Sequence, residues 1–211
     1  MPNWCSNHYA FYTDDENKDE LLRLYNKLSD IMETPSEIRN DFEPGWLGKI
    51  VTEHGLDIEK ISHRGWIEHL KDYEPESNSF TLQSETAWAP TDELWQAVVA
   101  QYEGVYFVYV AEEPGFEIFI NSDSEGVYFP DKYLIEVHGD IPIPEGWYPD
   151  QDKLGCLDIR EYFSDFEELA DYCADFTGRE FSTLEELQGY LSGIFDEEDN
   201  AFACIREFVA A

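Results

Sequence analysis

The segment "VYFVYVAEEPGFEIFINSDSEGVYFPDKYLIEVHG" (105–139) gives the clearest indication of fold class in this chain. It contains three runs rich in aromatic and β-branched residues, separated by two turn sequences, E-P-G and S-D-S-E-G. Runs of this composition are typical of β-strands, and glycine or proline between them is typical of turns. We therefore predict a meander of three strands across residues 105–139.

The chain before the meander alternates strands and helices. Aromatic and polar residues alternate in the predicted strands, and each predicted helix has one apolar stripe. The strands are expected at 6–13 and 79–88, and the helices at 14–32 and 90–104. Residues 35–77 carry turn signals and are interpreted as an insertion with local structure. This order predicts an α+β domain over residues 1–139, with helices on one face of an antiparallel sheet. A split β-α-β arrangement is the simplest small fold of that kind.

The composition changes after this domain. Residues 140–150 contain three prolines and are interpreted as a connector. Residues 151–211 are predicted to form a small, acidic and mostly helical region. Its helices are expected at 164–178, 182–195 and 196–210. The first two open with the S-x-x-E pattern of a capping box, Ser164 with Glu167 and Ser182 with Glu185.

The net charge is the most unusual property of the sequence. The chain has 47 Asp and Glu against 13 Lys and Arg, a formal net charge of −34. Such a charge argues against direct binding of nucleic acid, whose affinity comes largely from cations that contact phosphates. Aromatic residues make up 16% of the chain, which argues against disorder. A solvated surface adapted to high salt remains an alternative explanation.

The sequence also bears on the cellular compartment. It opens without the basic and apolar segments of a secretory signal, and no apolar stretch is long enough to span a membrane. Four cysteines are widely spaced and include no C-x-x-C pair, which favours reduced thiols. We therefore predict a cytoplasmic protein.

Three stretches in this order resemble one known family. They are "MPNWCSN" (1–7), "WLGKIVTEHGLDIEKISHRG" (46–65) and "ETAWAPTDELWQAV" (85–98), the last followed by the meander with its E-P-G turn. Together they resemble the YubB-like proteins, a family of uncharacterised function carried on plasmids, phages and other mobile elements. The resemblance covers roughly residues 1–138 and implies a ferredoxin-like sheet. It supplies no catalytic residue, and it implies no iron–sulfur cluster, since "ferredoxin-like" describes the fold alone.

Two motifs invite a metal, and neither is convincing. "NSDSEG" (121–126) has the oxygen alternation that opens a calcium loop, but Lys132 occupies the twelfth position, where a bidentate glutamate is needed. A hairpin turn is the better interpretation. Cys5 and His8 would point to opposite faces of an extended strand. We therefore expect no metal and no cofactor.

The insertion offers the alternative of an enzyme or a small-ligand site. His54, His63 and Arg64 could together serve such a site, although surface and turn roles explain them as well. The sequence contains no nucleophile elbow, phosphate loop or dinucleotide fingerprint. With 47 acids, no carboxylate pair stands out as a general acid and base. We therefore predict no catalytic residues and no enzymatic activity.

The acidic helices carry the main functional hypothesis. Within 164–178 the acids recur at steps of three and four, where neighbours stand about 5–6 Å apart, similar to successive phosphates. The residues predicted to bind a partner are Asp165, Glu167, Glu168, Asp171, Asp175, Asp196, Glu197, Glu198 and Asp199. We expect a nucleic-acid mimic of a mobile element that inhibits a basic DNA- or RNA-binding host protein, such as a restriction or CRISPR effector. A generic acidic housekeeping domain remains the other alternative.

Overall fold

The computed structural model describes residues 3–34, 45–74, 76–139, 157–194 and 202–211. Its elements are β1 (Trp4–Thr13), α1 (Lys18–Glu33), α2 (Leu47–Glu53), β2 (Gly65–Leu70), β3 (Ser79–Ala87), α3 (Asp92–Val99), β4 (Val105–Glu113), a 3₁₀ turn (Pro114–Phe116), β5 (Ile118–Asn121), β6 (Tyr133–Gly139), β7 (Leu157–Phe163), α4 (Phe166–Thr177), α5 (Leu184–Ile194) and β8 (Phe202–Glu207). Contacts divide the chain into a first unit, Met1–Asp123 with Ala211, and a second unit, Ser124–Ala210. The predicted α+β class is confirmed.

The first unit is built on a five-stranded antiparallel sheet in the order β2-β3-β1-β4-β5. β1 lies at its centre, and every second residue from Cys5 to Thr13 is buried. The buried residues of α1, α2 and α3 belong to the same hydrophobic core as these side chains. The three helices therefore pack on one face of the sheet, as the order of elements predicts.

Aromatic rings form the centre of this core. Phe11 stacks on Phe80 with ring centroids 5.1 Å apart and meets Trp95 edge-on at 5.2 Å. Tyr9 lies 5.3 Å from Trp95 and 5.5 Å from Tyr109. Strands β1, β3 and β4 and helix α3 are thus held together by ring contacts, which add to the free energy of burying their area.

The C-terminal end of α1 is held by a buried lysine. The Lys49 ammonium, carried by α2, donates to the carbonyl oxygens of Ile31, at 2.7 Å, and of Thr34. A cation is favoured at this end of a helix, where the last carbonyl groups lack intrahelical partners. The charge of Lys49 therefore joins α1 and α2.

The insertion contains an edge strand that the sequence analysis missed. β2 pairs with β3, and its register shifts between Ile67 and His69. A side chain at Gly65 would collide with the backbone of Glu85, so this position lies directly against β3. The irregularity explains the error, because the shift interrupts the alternation of apolar and polar residues by which a strand is recognised.

The second unit contains a three-stranded antiparallel sheet in the order β7-β6-β8. Side chains from one face of this sheet and from α4 and α5 share a second core, formed by Ile135, Val137, Ile159, Leu169, Cys173, Phe181, Leu187, Leu191 and Ile205. The unit is therefore α+β as well, with two helices on one face of its sheet.

The second unit corrects three expectations. β6 does not continue the meander, because it pairs only with β7 and β8. Residues 202–207 form a strand and not part of a helix over 196–210, and the strand β7 was not expected at all. The division by contacts falls after Asp123 and not after residue 139. The predicted connector, 140–150, lies outside the described residues.

None of the described helices has both the length and the apolar character needed to span a membrane.

Candidate functional site

Two of the acids predicted to bind a partner organise the start of α4. Asp165 is the N-cap, and its carboxylate accepts from the backbone N–H of Glu168 at 3.0 Å. The Glu168 carboxylate accepts in turn from the N–H of Ser164 at 3.2 Å and from its hydroxyl at 2.8 Å. The cap therefore begins one residue later than the predicted pair of Ser164 and Glu167. Helix capping accounts for Asp165 and Glu168 without any partner.

The same shift of one residue occurs at α5. The hydroxyl of Thr183 accepts from the N–H of Glu186 at 3.2 Å, and the Glu186 carboxylate accepts from the N–H of Ser182 at 3.1 Å. The predicted pair of Ser182 and Glu185 is therefore wrong. The error arose because the sequence S-T-L-E-E offers two capping frames, Ser182 with Glu185 and Thr183 with Glu186, and the backbone conformation selects the residue that caps.

The remaining acids of α4 form one exposed row. Glu167, Asp171 and Asp175 are all exposed, whereas Leu169 and Cys173 on the other side of the helix are buried. Residues four apart stand about 6 Å apart along a helix axis, so the three carboxylates form a line. We call Glu167, Asp171 and Asp175 the acidic row.

Within the described ranges, no basic side chain neutralises the acidic row. The segment 166–177 contains no lysine or arginine, and among the described residues no ion pair includes a member of the row. Like charges four apart on a helix repel each other and destabilise it. The helix dipole favours Glu167, which lies in the first turn of α4, so the residues that helix stability does not explain are Asp171 and Asp175.

Carboxylates elsewhere are paired with the few available cations. Lys27 contacts Glu53 at 3.0 Å, and Lys60 contacts Asp57 at 2.8 Å. The hydrogen bond from Lys27 lowers the pKa of Glu53, and the bond from Lys60 lowers that of Asp57. Among the described residues, Lys27 and Lys60 thus pair with acids outside the acidic row, and none of the ion pairs includes a member of the row.

The other half of the predicted surface cannot be placed. Asp196, Glu197, Glu198 and Asp199 lie outside the described residues. Their part in a partner surface stays a prediction.

The histidines of the insertion are engaged in separate structural contacts. The Nδ1 of His54 lies 2.8 Å from the carbonyl oxygen of Ile50, which requires Nδ1 to donate, and Nε2 lies 3.1 Å from the Tyr102 hydroxyl. Burial lowers the pKa of His54, in keeping with a neutral ring whose Nε2 accepts. The Nδ1 of His63 lies 2.9 Å from the carbonyl oxygen of Ile61.

Arg64 adds no site to these histidines. Its side chain is exposed, and its carbonyl oxygen accepts from the N–H of Ala87 at 2.9 Å. His54, His63 and Arg64 therefore contact three different sets of neighbours. Nothing in these contacts favours a catalytic role for the insertion.

The metal motifs have structural explanations. The side-chain oxygen of Asn121 accepts from the N–H of Asp123 at 2.9 Å, so this segment is a local turn. It does not close a hairpin, because β5 and β6 belong to different sheets. Cys5 is buried and His8 is exposed on the same strand, as expected for opposite faces. Within the described ranges, no group of three His, Cys, Asp or Glu side chains could hold a metal.

Burial makes Cys5 a structural thiol. Burial raises the pKa of the Cys5 thiol to about 12, and its sulfur lies 3.4 Å from the side-chain oxygen of Asn7. The Asn7 amide also donates to the carbonyl oxygen of Cys5 at 2.9 Å and to the Thr86 hydroxyl at 2.8 Å. A thiol with such a pKa is a poor nucleophile at neutral pH.

Carboxylates also meet on the face of the first sheet that points away from its helices. Glu85 of β3 pairs across the sheet with Ser6 of β1. Burial, followed by the nearby charge of Glu68, raises the pKa of Glu85. Partial desolvation of the exposed His8 ring also lowers its pKa, against the opposing effect of the Glu112 and Glu68 carboxylates. The surroundings of Glu85 in the folded sheet therefore disfavour ionisation of its carboxyl group.

This arrangement predicts a pH-dependent gain in stability for Glu85→Gln. A carboxyl whose pKa is raised in the folded state binds its proton more tightly there, so its ionisation destabilises the fold above that pKa. We expect Glu85→Gln to raise the thermal unfolding midpoint at pH 7. At a pH below 4.5, the ordinary pKa of a glutamate, the substitution should have no such effect. Calorimetry at both pH values measures this. Glu59→Gln, at an exposed glutamate, is the control, and an equal gain in the control would contradict the prediction.

A second notable surface lies where β3 and β4 end. Only two non-glycine residues of the described chain have a positive φ, Trp88 at 75° and Glu117 at 56°. Trp88 follows β3, and Glu117 follows the 3₁₀ turn after β4. The rings of Trp88 and Phe116 meet edge-on at 5.6 Å, with 42% and 59% of each residue exposed. We call Trp88 and Phe116 the aromatic pair.

Hydrogen bonds hold both turns in place. The N–H of Trp88 donates to the carbonyl oxygen of Asn3 at 2.9 Å. The buried carboxylate of Glu113 accepts from the N–H groups of Gly115, at 3.0 Å, and Phe116, at 2.6 Å. A side chain at Gly115 would collide with that of Asn3, so the two turns share a neighbour. The sequence contained a signal for this surface, since its tryptophan, its E-P-G turn and the N-terminal segment were all noted, but nothing indicated that they meet.

Comparison of the chain with protein-family models, with curated proteins and with solved structures found no match. The resemblance to the YubB-like family therefore stays a prediction. The function has to be argued from the acidic row and the aromatic pair.

Proposed function

We propose that this protein is a non-enzymatic acidic binding protein whose helix α4 occupies a nucleic-acid-binding surface of a basic partner. The observation that carries the proposal is the acidic row, three exposed carboxylates in line with no cation on their helix. Helix capping explains Asp165 and Glu168, and the helix dipole favours Glu167 in the first turn, but neither explains Asp171 or Asp175.

The spacing of the row suits a cationic groove. Steps of about 6 Å along the helix are broadly similar to the distance between successive phosphates on a nucleic-acid strand. Proteins that bind DNA or RNA line their grooves with lysine and arginine to meet such a series of charges. A rigid helix would present its carboxylates without the entropic cost of ordering a flexible chain.

The class of partner is proposed on charge and on the family resemblance. With a net charge of −34, the protein is attracted over long range to any strongly basic surface. If it belongs to a mobile element, as the resemblance implies, a host nuclease or another defence protein with a cationic channel is the natural target. The partner is therefore a basic nucleic-acid-binding protein, and no direct contact with nucleic acid is involved.

The first unit would serve as the scaffold. Its chain order, strand–helix–strand–strand–helix–strand with the sheet order β2-β3-β1-β4, supports a ferredoxin-like fold to which α2 and β5 are additions. Cys5, Cys173 and Cys204 are free thiols, which supports a reducing compartment such as the cytoplasm.

A pull-down that is challenged with DNA tests the proposal. The immobilised protein is incubated with host lysate, and bound proteins are eluted either with duplex DNA or with increasing NaCl. We expect basic nucleic-acid-binding proteins to be captured, displaced by DNA and lost steeply with salt, because opposite charges at a surface are screened by ions.

Two outcomes would count against the proposal. Recovery of general chaperones alone, or of proteins that DNA does not displace, would exclude mimicry. Stability that rises into molar salt in the absence of DNA-displaced binding would instead indicate a salt-adapted surface, the alternative raised by the composition.

A further inference from the structure

We propose that the aromatic pair is a docking site for an arginine-rich segment of a partner protein. The first argument is conformational. Trp88 has a left-handed backbone, which bulky L-residues rarely adopt, and its turn lies beside the turn that contains Glu117, the other such residue. Backbone strain of this kind clusters at binding and switch sites, where surrounding contacts maintain it.

The second argument is the cost of leaving these rings in water. Trp88 and Phe116 are large apolar residues that lie exposed in the described part of the chain, yet hydrogen bonds that their N–H groups donate to Asn3 and to Glu113 hold their turns in place. Tryptophan held rigidly at a surface is a frequent anchor of protein interfaces. Because both rings are already ordered, binding a partner would cost this surface little conformational entropy.

The third argument selects the chemistry of the partner. The chain has no lysine or arginine between Lys71 and Lys132, a stretch that includes both turns. Acidic residues border the pair in sequence, with Asp92 and Glu93 in the first turn of α3 and Glu117 directly after Phe116. The backbone places one basic residue beside this stretch, Arg64, whose carbonyl oxygen accepts from the N–H of Ala87, and the acids that border the pair outnumber it. A cation that approaches these rings would therefore meet an excess of negative charge in the surrounding sequence.

The chain shows elsewhere how such rings bind arginine. Arg23 lies 4.1 Å from the centre of the Tyr102 ring, and Arg179 lies 5.0 Å from that of Tyr190. No such contact involves Trp88 or Phe116 in the part of the chain that the structure describes. A guanidinium supplied by a partner would stack on the pair, and its planar, weakly hydrated group suits this better than the ammonium of lysine.

This site is separate from the acidic row. The aromatic pair belongs to the first unit, and the row belongs to α4 of the second. The two proposals can therefore fail independently of one another.

The test uses a fluorescent ten-residue peptide of alternating arginine and glycine, titrated with the full chain and followed by anisotropy. We expect Phe116→Ala to weaken binding about fivefold and Trp88→Gly about tenfold. Glycine accepts a positive φ without strain, so Trp88→Gly removes the ring and leaves the backbone of the turn in place. Thermal unfolding of each variant verifies that it folds.

Matched controls separate stacking from simple attraction to an acidic protein. Tyr106→Ala removes an aromatic residue that is 58% exposed, nearly the same as Phe116, and should leave affinity unchanged. A peptide with citrulline in place of arginine keeps the shape without the charge and should bind too weakly to measure. A further control combines Glu167→Gln, Asp171→Asn and Asp175→Asn in one protein. In this background, Trp88→Gly should still weaken binding of the arginine peptide about tenfold.

Three results would overturn the proposal. An equal loss in Phe116→Ala and Tyr106→Ala would show that any exposed ring serves. Undiminished binding of the citrulline peptide would indicate an apolar partner. Binding that is insensitive to Trp88→Gly would leave general electrostatic attraction as the whole explanation.

Discussion

Neutralising the acidic row with Glu167→Gln, Asp171→Asn and Asp175→Asn is expected to weaken binding to a DNA-displaced partner about a hundredfold. Each carboxylate that meets a cation at an interface contributes about 1 kcal/mol, and three such contacts correspond to roughly a hundredfold in the dissociation constant. The measurement is a titration of the partner recovered in the pull-down, at constant ionic strength. Each substitution preserves the size of the side chain, so the comparison isolates charge.

The same variant should be more stable than the parent. Glu167, Asp171 and Asp175 repel each other at successive steps of four, and each like-charged pair destabilises a helix by about 0.2–0.5 kcal/mol. We therefore expect a slightly higher unfolding midpoint together with the lost binding. Loss of binding through misfolding would lower that midpoint instead, so the two explanations predict opposite shifts.

A second triple variant controls for net charge. Asp30→Asn, Glu33→Gln and Asp72→Asn remove the same charge from exposed positions of the first unit. If the partner recognises the row, this control should weaken binding less than about threefold, through long-range attraction alone. Equal losses in the two variants would show that the partner responds to total charge, and the acidic row would then have no special role.

The sequence predicted correctly those elements whose own pattern of apolar and polar residues is enough to distinguish a helix from a strand. β1 and α1 show clean alternation or a clean apolar stripe, and both formed within a few residues of the predicted ranges. β8 shows why others failed. Phe202, Ile205 and Phe208 recur at three-residue steps, which fits one side of a helix, yet Ile205 pairs with Ile135 of β6. A local pattern cannot reveal a partner strand that lies far away in sequence.

The candidate site was predictable in composition and not in detail. The five acids at 165–175 are exposed, as a binding surface requires, but the sequence could not decide between Ser164 with Glu167 and Asp165 with Glu168 as the pair that caps the helix. The aromatic pair was hidden for a different reason. Its significance comes from the φ of Trp88 and from the meeting of two turns, and both are properties of the folded backbone.

The largest expected loss of stability concerns the aromatic core of the first unit. Phe11 is fully buried on the central strand and touches rings from three other elements, those of Phe80, Trp95 and Phe107. Phe11→Ala removes these ring contacts and leaves a cavity that rigid neighbours cannot fill, so we expect a loss of about 4 kcal/mol. Phe11→Leu fills most of that volume and should cost about 1.5 kcal/mol.

Hydrogen–deuterium exchange of the β1 and β3 amides is the appropriate measurement, because it reports on the first unit directly. A thermal midpoint of the whole chain does not say which unit has lost stability, whereas exchange at these amides gives the free energy of opening of this sheet. Phe116→Ala makes the same chemical change at a ring that is 59% exposed in the same unit, and it should cost less than about 1 kcal/mol. If the two Phe→Ala variants destabilised the β1 amides equally, the stability of this sheet could not depend on the ring cluster around Phe11. If Phe11→Ala alone increased exchange at the β1 amides, the buried side chains of the central strand would be the main source of the stability of this sheet.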